Sequence, residues 1–215
     1  MVSDFGFSAR GYNLCVSNVG ATYLPVTPFS LLETQLRQFD GRNSDSLLRV
    51  AGNLSPDSST IDQLIGLAER SDPPLQTAAT WLLKHFQSGN TCFTPTQVAK
   101  VIDCICRPGS WESRLHLVQM LPDLTIPAQC SEELFQSLLR ARSDSNKFIR
   151  AWAYSGLHTL ASQHSRLVPE VVPLLDQAAL DESSSVRARL RQLKPLFPDS
   201  ASSGGGGAPY GNSGS

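Results

Sequence analysis

No stretch of the 215 residues approaches the roughly 20 consecutive apolar residues that span a bilayer, so no membrane insertion is expected. The first 24 residues lack a charged start followed by an apolar core, because Asn13, Ser17, Asn18 and Thr22 interrupt them. That argues against a secretory leader. Charged residues make up only 17% of the chain, below the usual quarter or so, and Ser, Thr, Gln and Asn take their place. Neither sign prevails: 18 Lys and Arg stand against 19 Asp and Glu, a net charge of −1. Proteins that neutralise many phosphates carry a basic excess, so the composition speaks against a nucleic acid partner. The five cysteines are an odd number and follow no leader, which places reduced thiols in an intracellular, cytoplasmic setting.

Chemical motifs are missing as well. There is no Gly-x-Ser-x-Gly and no His-Glu-x-x-His, and the glycine run at 204–207 has no Lys after it to form a phosphate loop. The tightest cysteine pair, Cys104 and Cys106, falls on a helical stretch. Two positions apart on a helix point about 200° from each other and cannot grip one ion. The sequence therefore offers no catalytic residue, no metal site and no cofactor.

What is there is enough apolar surface for a core, at 40%, and a period. From Ile149 to Leu160, apolar residues stand at 149, 152, 153, 157 and 160, with Gly156 beside them; from Leu75 to Phe86 they stand at 75, 78, 79, 82, 83 and 86. Each set marks one face of an α-helix. Ser113–Leu124 repeats the frame in outline, Val186–Leu193 begins it again, and a weaker copy starts at Leu48. The starts at 48, 75, 113, 149 and 186 are separated by 27, 38, 36 and 37 residues. The last three intervals are nearly equal, and a short first one suits an atypical end repeat.

Polar turns precede these helices, the clearest being 71–74, 143–146 and 181–185. Their Asp and Ser side chains accept from free helix N–H groups, and Pro fits the first turn. A second amphipathic helix is predicted ahead of each turn, over 29–39, 60–70, 95–106, 131–142 and 168–180. The unit is helix, short turn, helix. Residues 1–24 read as an irregular arm, 25–198 as the repeat array and 199–215 as a flexible Gly/Ser-rich tail.

The pattern apolar-Arg-x-Ala-Ala-x-x-Ala-Leu-x-x-Leu after an Asp-containing turn resembles the second helix of HEAT repeats. Ile149–Leu160 and Leu75–Phe86 carry the resemblance best, although Gln76 replaces the usual Arg and His116 replaces a small residue. It implies an all-α fold, an α-α superhelix or solenoid of about five HEAT-like hairpins. It also implies an Asp ladder, with Asp144 meeting Arg114, Arg150 or Arg187. The function it implies is a non-enzymatic scaffold that holds a protein partner on the concave surface of the second helices. Related short HEAT proteins include alkylpurine DNA glycosylases and bilin lyases. Near-neutral charge speaks against the first, and no pigment site is identifiable for the second.

Candidate contacts are Trp81 and Tyr154 on second helices, Trp111 in the turn before one, and the frame residues Arg114 and Arg150. Arg187, Arg191 and Lys194, at spacings of four and three, are expected on one face of the last helix. His116 is expected to be a hydrogen-bonded core histidine, and Trp152 to fill space between helices.

Overall fold

The computed structural model describes residues 28–107, 109–180, 183–193 and 196. The arm at 1–24, the tail at 199–215, Asp181 and Lys194 lie outside the described residues. The described residues form ten α-helices in chain order: α1 (Pro28–Leu36), α2 (Asp45–Gly52), α3 (Ser58–Ala68), α4 (Pro73–Ser88), α5 (Pro95–Cys106), α6 (Trp111–Met120), α7 (Ser131–Ala141), α8 (Lys147–Gln163), α9 (Val168–Ala178) and α10 (Ser184–Leu190). Among the described residues there is no strand, and no helix is long and apolar enough to cross a membrane.

Local chemistry sets the helix starts. The Asp72 carboxylate accepts from the Leu75 N–H at 3.3 Å, with Pro73 and Pro74 filling the first turn of α4. Thr94 and Gln97 form a reciprocal capping box at α5: Gln97 N–H donates to Thr94 Oγ1 and Thr94 N–H to Gln97 Oε1. Ser110 caps α6 and Asn146 caps α8. Each cap satisfies a backbone donor that the helix itself leaves unpaired.

Helices one, two and three steps along the chain then pack in order. The hairpin partners α3 and α4, α5 and α6, α7 and α8, and α9 and α10 touch; so do α4 and α6, α6 and α8, and α8 and α10, while α3 touches α5 and α5 touches α7. The second helices from α4 onwards start at residues 73, 111, 147 and 184, intervals of 38, 36 and 37. In each, the third residue (Leu75, Ser113, Ile149 and Val186) is buried. Side chains bridge neighbours at a similar spacing, 37 or 39 residues apart. Gln97 Nε2 donates to the Ser58 carbonyl at 3.1 Å, and Gln163 Nε2 donates to the Leu124 carbonyl while its Oε1 accepts from Ile126 N–H.

One apolar core runs through these contacts. Ala78, Ala79 and Ala153 have no exposed surface, and Gly156 admits Leu121 and Leu138 so closely that a Cβ there would stand 2.9 Å and 3.0 Å from their methyl carbons.

One sequence expectation is corrected. The first copy of the frame begins at Leu47, which is 1% exposed, whereas Leu48 is 46% exposed. Leu47 is again the third residue of its helix, so the interval to Leu75 is 28. The last helix ends at Leu190, its end tightened by Gln192 N–H to Arg189 and Leu193 N–H to Leu190 bonds. Arg191 N–H still donates to the Arg187 carbonyl at 3.3 Å, which keeps these two expected neighbours one helical turn apart; Lys194, the third residue of the expected stripe, lies outside the described residues.

Candidate functional site

Two surfaces gather the polar and aromatic side chains. The first is the edge where each first helix turns into its second. Arg37 and Arg70 hold the α1 and α3 ends together here: Arg37 pairs with Asp72 at 2.5 Å and with Glu33 at 2.7 Å, and Arg70 pairs with Glu33 at 3.0 Å. The hydrogen bond from Arg37 holds the Asp72 carboxyl below the usual carboxylate range, and the cap bond from Leu75 N–H adds to it. Further along, Arg114 pairs with Asp144 at 3.0 Å, one of the three partners expected for that Asp. Arg150 instead donates to the backbone carbonyls of Asp144 and Ser145.

Two grooves open between hairpins on this edge. One, of about 540 Å³, lies between the α3–α4 and α5–α6 turns and is lined by Glu69, Gln76, Cys104, Arg107 and Arg114 among others. The other, of about 260 Å³, lies between α5–α6 and α7 and is lined by Cys106, Arg107, Arg114, Ser137 and Arg140. Arg107 and Arg114 belong to both. The two cysteines thus face different grooves, as helix geometry requires. Burial pushes the Cys104 thiol up to about 12 and the Cys106 thiol to about 11, with Glu69 and Glu133 respectively adding to it. Neither is a thiolate at neutral pH, which leaves both weak nucleophiles. Among the described residues no three His, Cys, Asp or Glu side chains are grouped to hold a metal ion.

The second surface runs along the second helices. Trp81 stacks on His85, rings 5.1 Å apart and 8° from parallel. Trp111 and Phe148, in the first turns of the contacting helices α6 and α8, are 49% and 48% exposed. Lys147 Nζ stands 5.3 Å from the Phe148 ring centre. The Arg189 guanidinium lies 3.3 Å over the Trp152 ring, joining α10 to α8 by a cation–π contact. His116 sits between α4 and α6, its Nδ1 3.1 Å from Thr80 Oγ1. Thr80 gives its own hydroxyl proton to the Gln76 carbonyl at 2.8 Å, so His116 Nδ1 is the donor to Thr80. Burial lowers the His116 imidazole to about 4, with nearby Lys84 adding to the effect. Burial also lowers Lys84, whose ammonium donates to Gln119 Oε1 at 2.5 Å.

Of the residues singled out from sequence, Arg114 and Arg150 come together on the turn edge, and Trp111 begins the adjacent helix. Trp81 is half-buried on α4, away from them. Tyr154, expected on a surface, is only 6% exposed: it takes a core position of α8, and its ring is not presented to a partner. Arg191 is exposed beyond the end of α10, and Arg187 is half-buried on it. Sequence reasoning missed Arg107, Arg140, Phe148 and Arg189. The signal for Arg189 was present, since 78, 116, 152 and 189 hold the same place in the frame, and stacked neighbours at one position meet. Phe148 had no signal beyond an apolar residue in the turn before the frame. Compared with protein-family models, with curated proteins and with solved structures, the chain matches none.

Proposed function

We propose that the chain is a short superhelix of HEAT-like hairpins that acts as a non-enzymatic interaction module, holding a protein partner along its second helices. The observation that carries this reading is the pair Trp111 and Phe148. Large aromatic side chains left half in water, on adjacent helices of a regular array, are the residues that anchor partners when they become fully desolvated. The Trp81–His85 stack and the Arg189–Trp152 contact extend the row to either side. The contact order of helices and the recurring interval support the superhelix, because units that each touch only their neighbours build a curved surface of this kind.

The test is affinity isolation with the tagged full-length chain and with Trp111→Ala plus Phe148→Ala. A partner retained by the parent, and by Gln136→Ala on the exposed face of α7, should be lost from the double variant. Retention by all three would remove the second-helix row from the interface.

A further inference from the structure

We propose that the turn edge between α3–α4 and α7–α8 is a docking groove for an extended acidic peptide of a partner protein, one whose carboxylates recur every third residue. The proposal rests on the reading of the chain as an interaction module and adds to it a groove bordered by the α6 and α8 starts that carry Trp111 and Phe148, and a ligand chemistry. From the α3–α4 turn to the α7–α8 turn the edge carries Arg70, Arg107, Arg114, Arg140, Arg142, Lys147 and Arg150 against Glu69, Asp72, Asp103, Glu112 and Asp144, and Arg107 and Arg114 pair with Asp103 and Asp144. That is seven cations for five carboxylates in a chain whose total charge is −1. The opposite edge has the reverse balance near the starts of α3 and α7, with Asp57, Asp62, Glu132 and Glu133 against Lys100 and Arg166.

The surplus sits where chain can enter. The grooves of about 540 Å³ and 260 Å³ share Arg107 and Arg114 in their linings. Arg140 is exposed at the second groove and has no ion-pair partner among the described residues. Arg142 Nε is buried without a hydrogen-bond acceptor. The first turns of α6 and α8 meet this edge, and helix N-termini add partial positive charge. Helices that pack together stand about 8–10 Å apart, and an extended chain rises about 3.3 Å per residue. A carboxylate at every third position therefore meets one groove after another.

The same edge disfavours a nucleic acid. Glu69, Asp103, Glu112 and Asp144 are interspersed among the arginines, and a continuous phosphate backbone would meet each of them. A peptide places its charges singly and leaves small residues opposite the acids.

The measurement is fluorescence anisotropy on the full chain at low salt, with a labelled dodecapeptide carrying Glu at every third position among Ser and Gly. Saturable binding is expected, about tenfold or more weaker in Arg107→Gln plus Arg140→Gln and unchanged in Lys100→Gln plus Arg166→Gln on the other edge. A peptide of the same composition with its Glu residues gathered at one end should bind more weakly. Far-UV circular dichroism of each variant establishes that it is folded. Absence of saturable binding, or binding indifferent to Arg107 and Arg140, overturns the proposal. Equal binding of the gathered peptide overturns the register. A single-stranded oligonucleotide that binds more tightly through the same two arginines assigns the edge to nucleic acid instead. Loss of the Trp111- and Phe148-dependent partner is read separately, so this groove can fail while the module stands.

Discussion

At the scale of single residues, the frame position that usually holds alanine explains most of what is unusual. Its occupants are Ala78, His116, Trp152 and Arg189. A small residue lets helices close up, whereas larger ones must find partners across the gap. His116 finds Thr80, and Trp152 finds the guanidinium of Arg189. The histidine makes a pH prediction. Its pKa of about 4 in the folded protein lies below its ordinary value of 6.5, so the folded state binds fewer protons than the unfolded chain between those values. The stability it contributes is complete above about pH 6.5 and is lost as pH falls towards 4. One pKa unit is about 1.4 kcal/mol, so the loss amounts to about 3 kcal/mol at most. Urea unfolding of the parent and of His116→Gln, at pH 7 and again at pH 4.5, checks this. The variant should lose less stability between the two conditions, because its carboxylates are the same and its imidazole is gone. Equal losses would mean that His116 is solvated.

At the scale of elements, the first helices were legible in the sequence at both ends, starting within two residues of their predicted starts and ending within three of their predicted ends. Thr94-Pro95 and Ser71-Asp72-Pro73 are local signals, and α5 and α4 begin where they direct. Thr94→Ala breaks both halves of the α5 capping box and should lower stability by about 1 kcal/mol, read as a shift of the urea midpoint at unchanged slope. The Leu48 frame missed by one residue because α2 is short and both Leu47 and Leu48 are apolar. Only packing on α4 decides which one is buried. Gly156 is another residue whose meaning depends on a neighbouring element. Alanine there would gain helix propensity worth about 1 kcal/mol but press on Leu121 and Leu138, so its net effect should be small. Gly156→Leu forces a whole side chain into that contact and should cost more than the 1–3 kcal/mol typical of added methylenes. A melting temperature that falls no further for Leu than for Ala would place α8 farther from α7 than the structure does.

At the scale of the whole molecule, the all-helical architecture was legible because amphipathic helical patterns recur along the chain, at three successive intervals of 38, 36 and 37 residues, even where single copies are weak. The surfaces were less legible. Arg114 and Arg150 could be picked out by frame position, but Arg107 and Arg140 lie at the ends of first helices, outside the frame, and only stacking brings them to the same grooves. Tyr154 failed for the complementary reason: an aromatic ring reads alike whether it fills a gap or faces a partner. If the array is a chain of units each supported by its neighbours, damage in the middle should be felt by the whole. Ala153 tests this, since it is fully buried in α8, the helix that touches α6, α7, α9 and α10. Ala153→Glu places an unpaired carboxylate there, a burden of several kcal/mol and a large share of the stability of a domain this size. The variant should lose the helical signal over most of the chain in circular dichroism rather than over one hairpin. Leu48→Glu should leave the melt nearly unchanged, because that side chain is already 46% exposed at the first hairpin. If Ala153→Glu melted only locally, the hairpins would be folding as independent units, and a partner bound across several of them would have to supply the coupling that the array lacks.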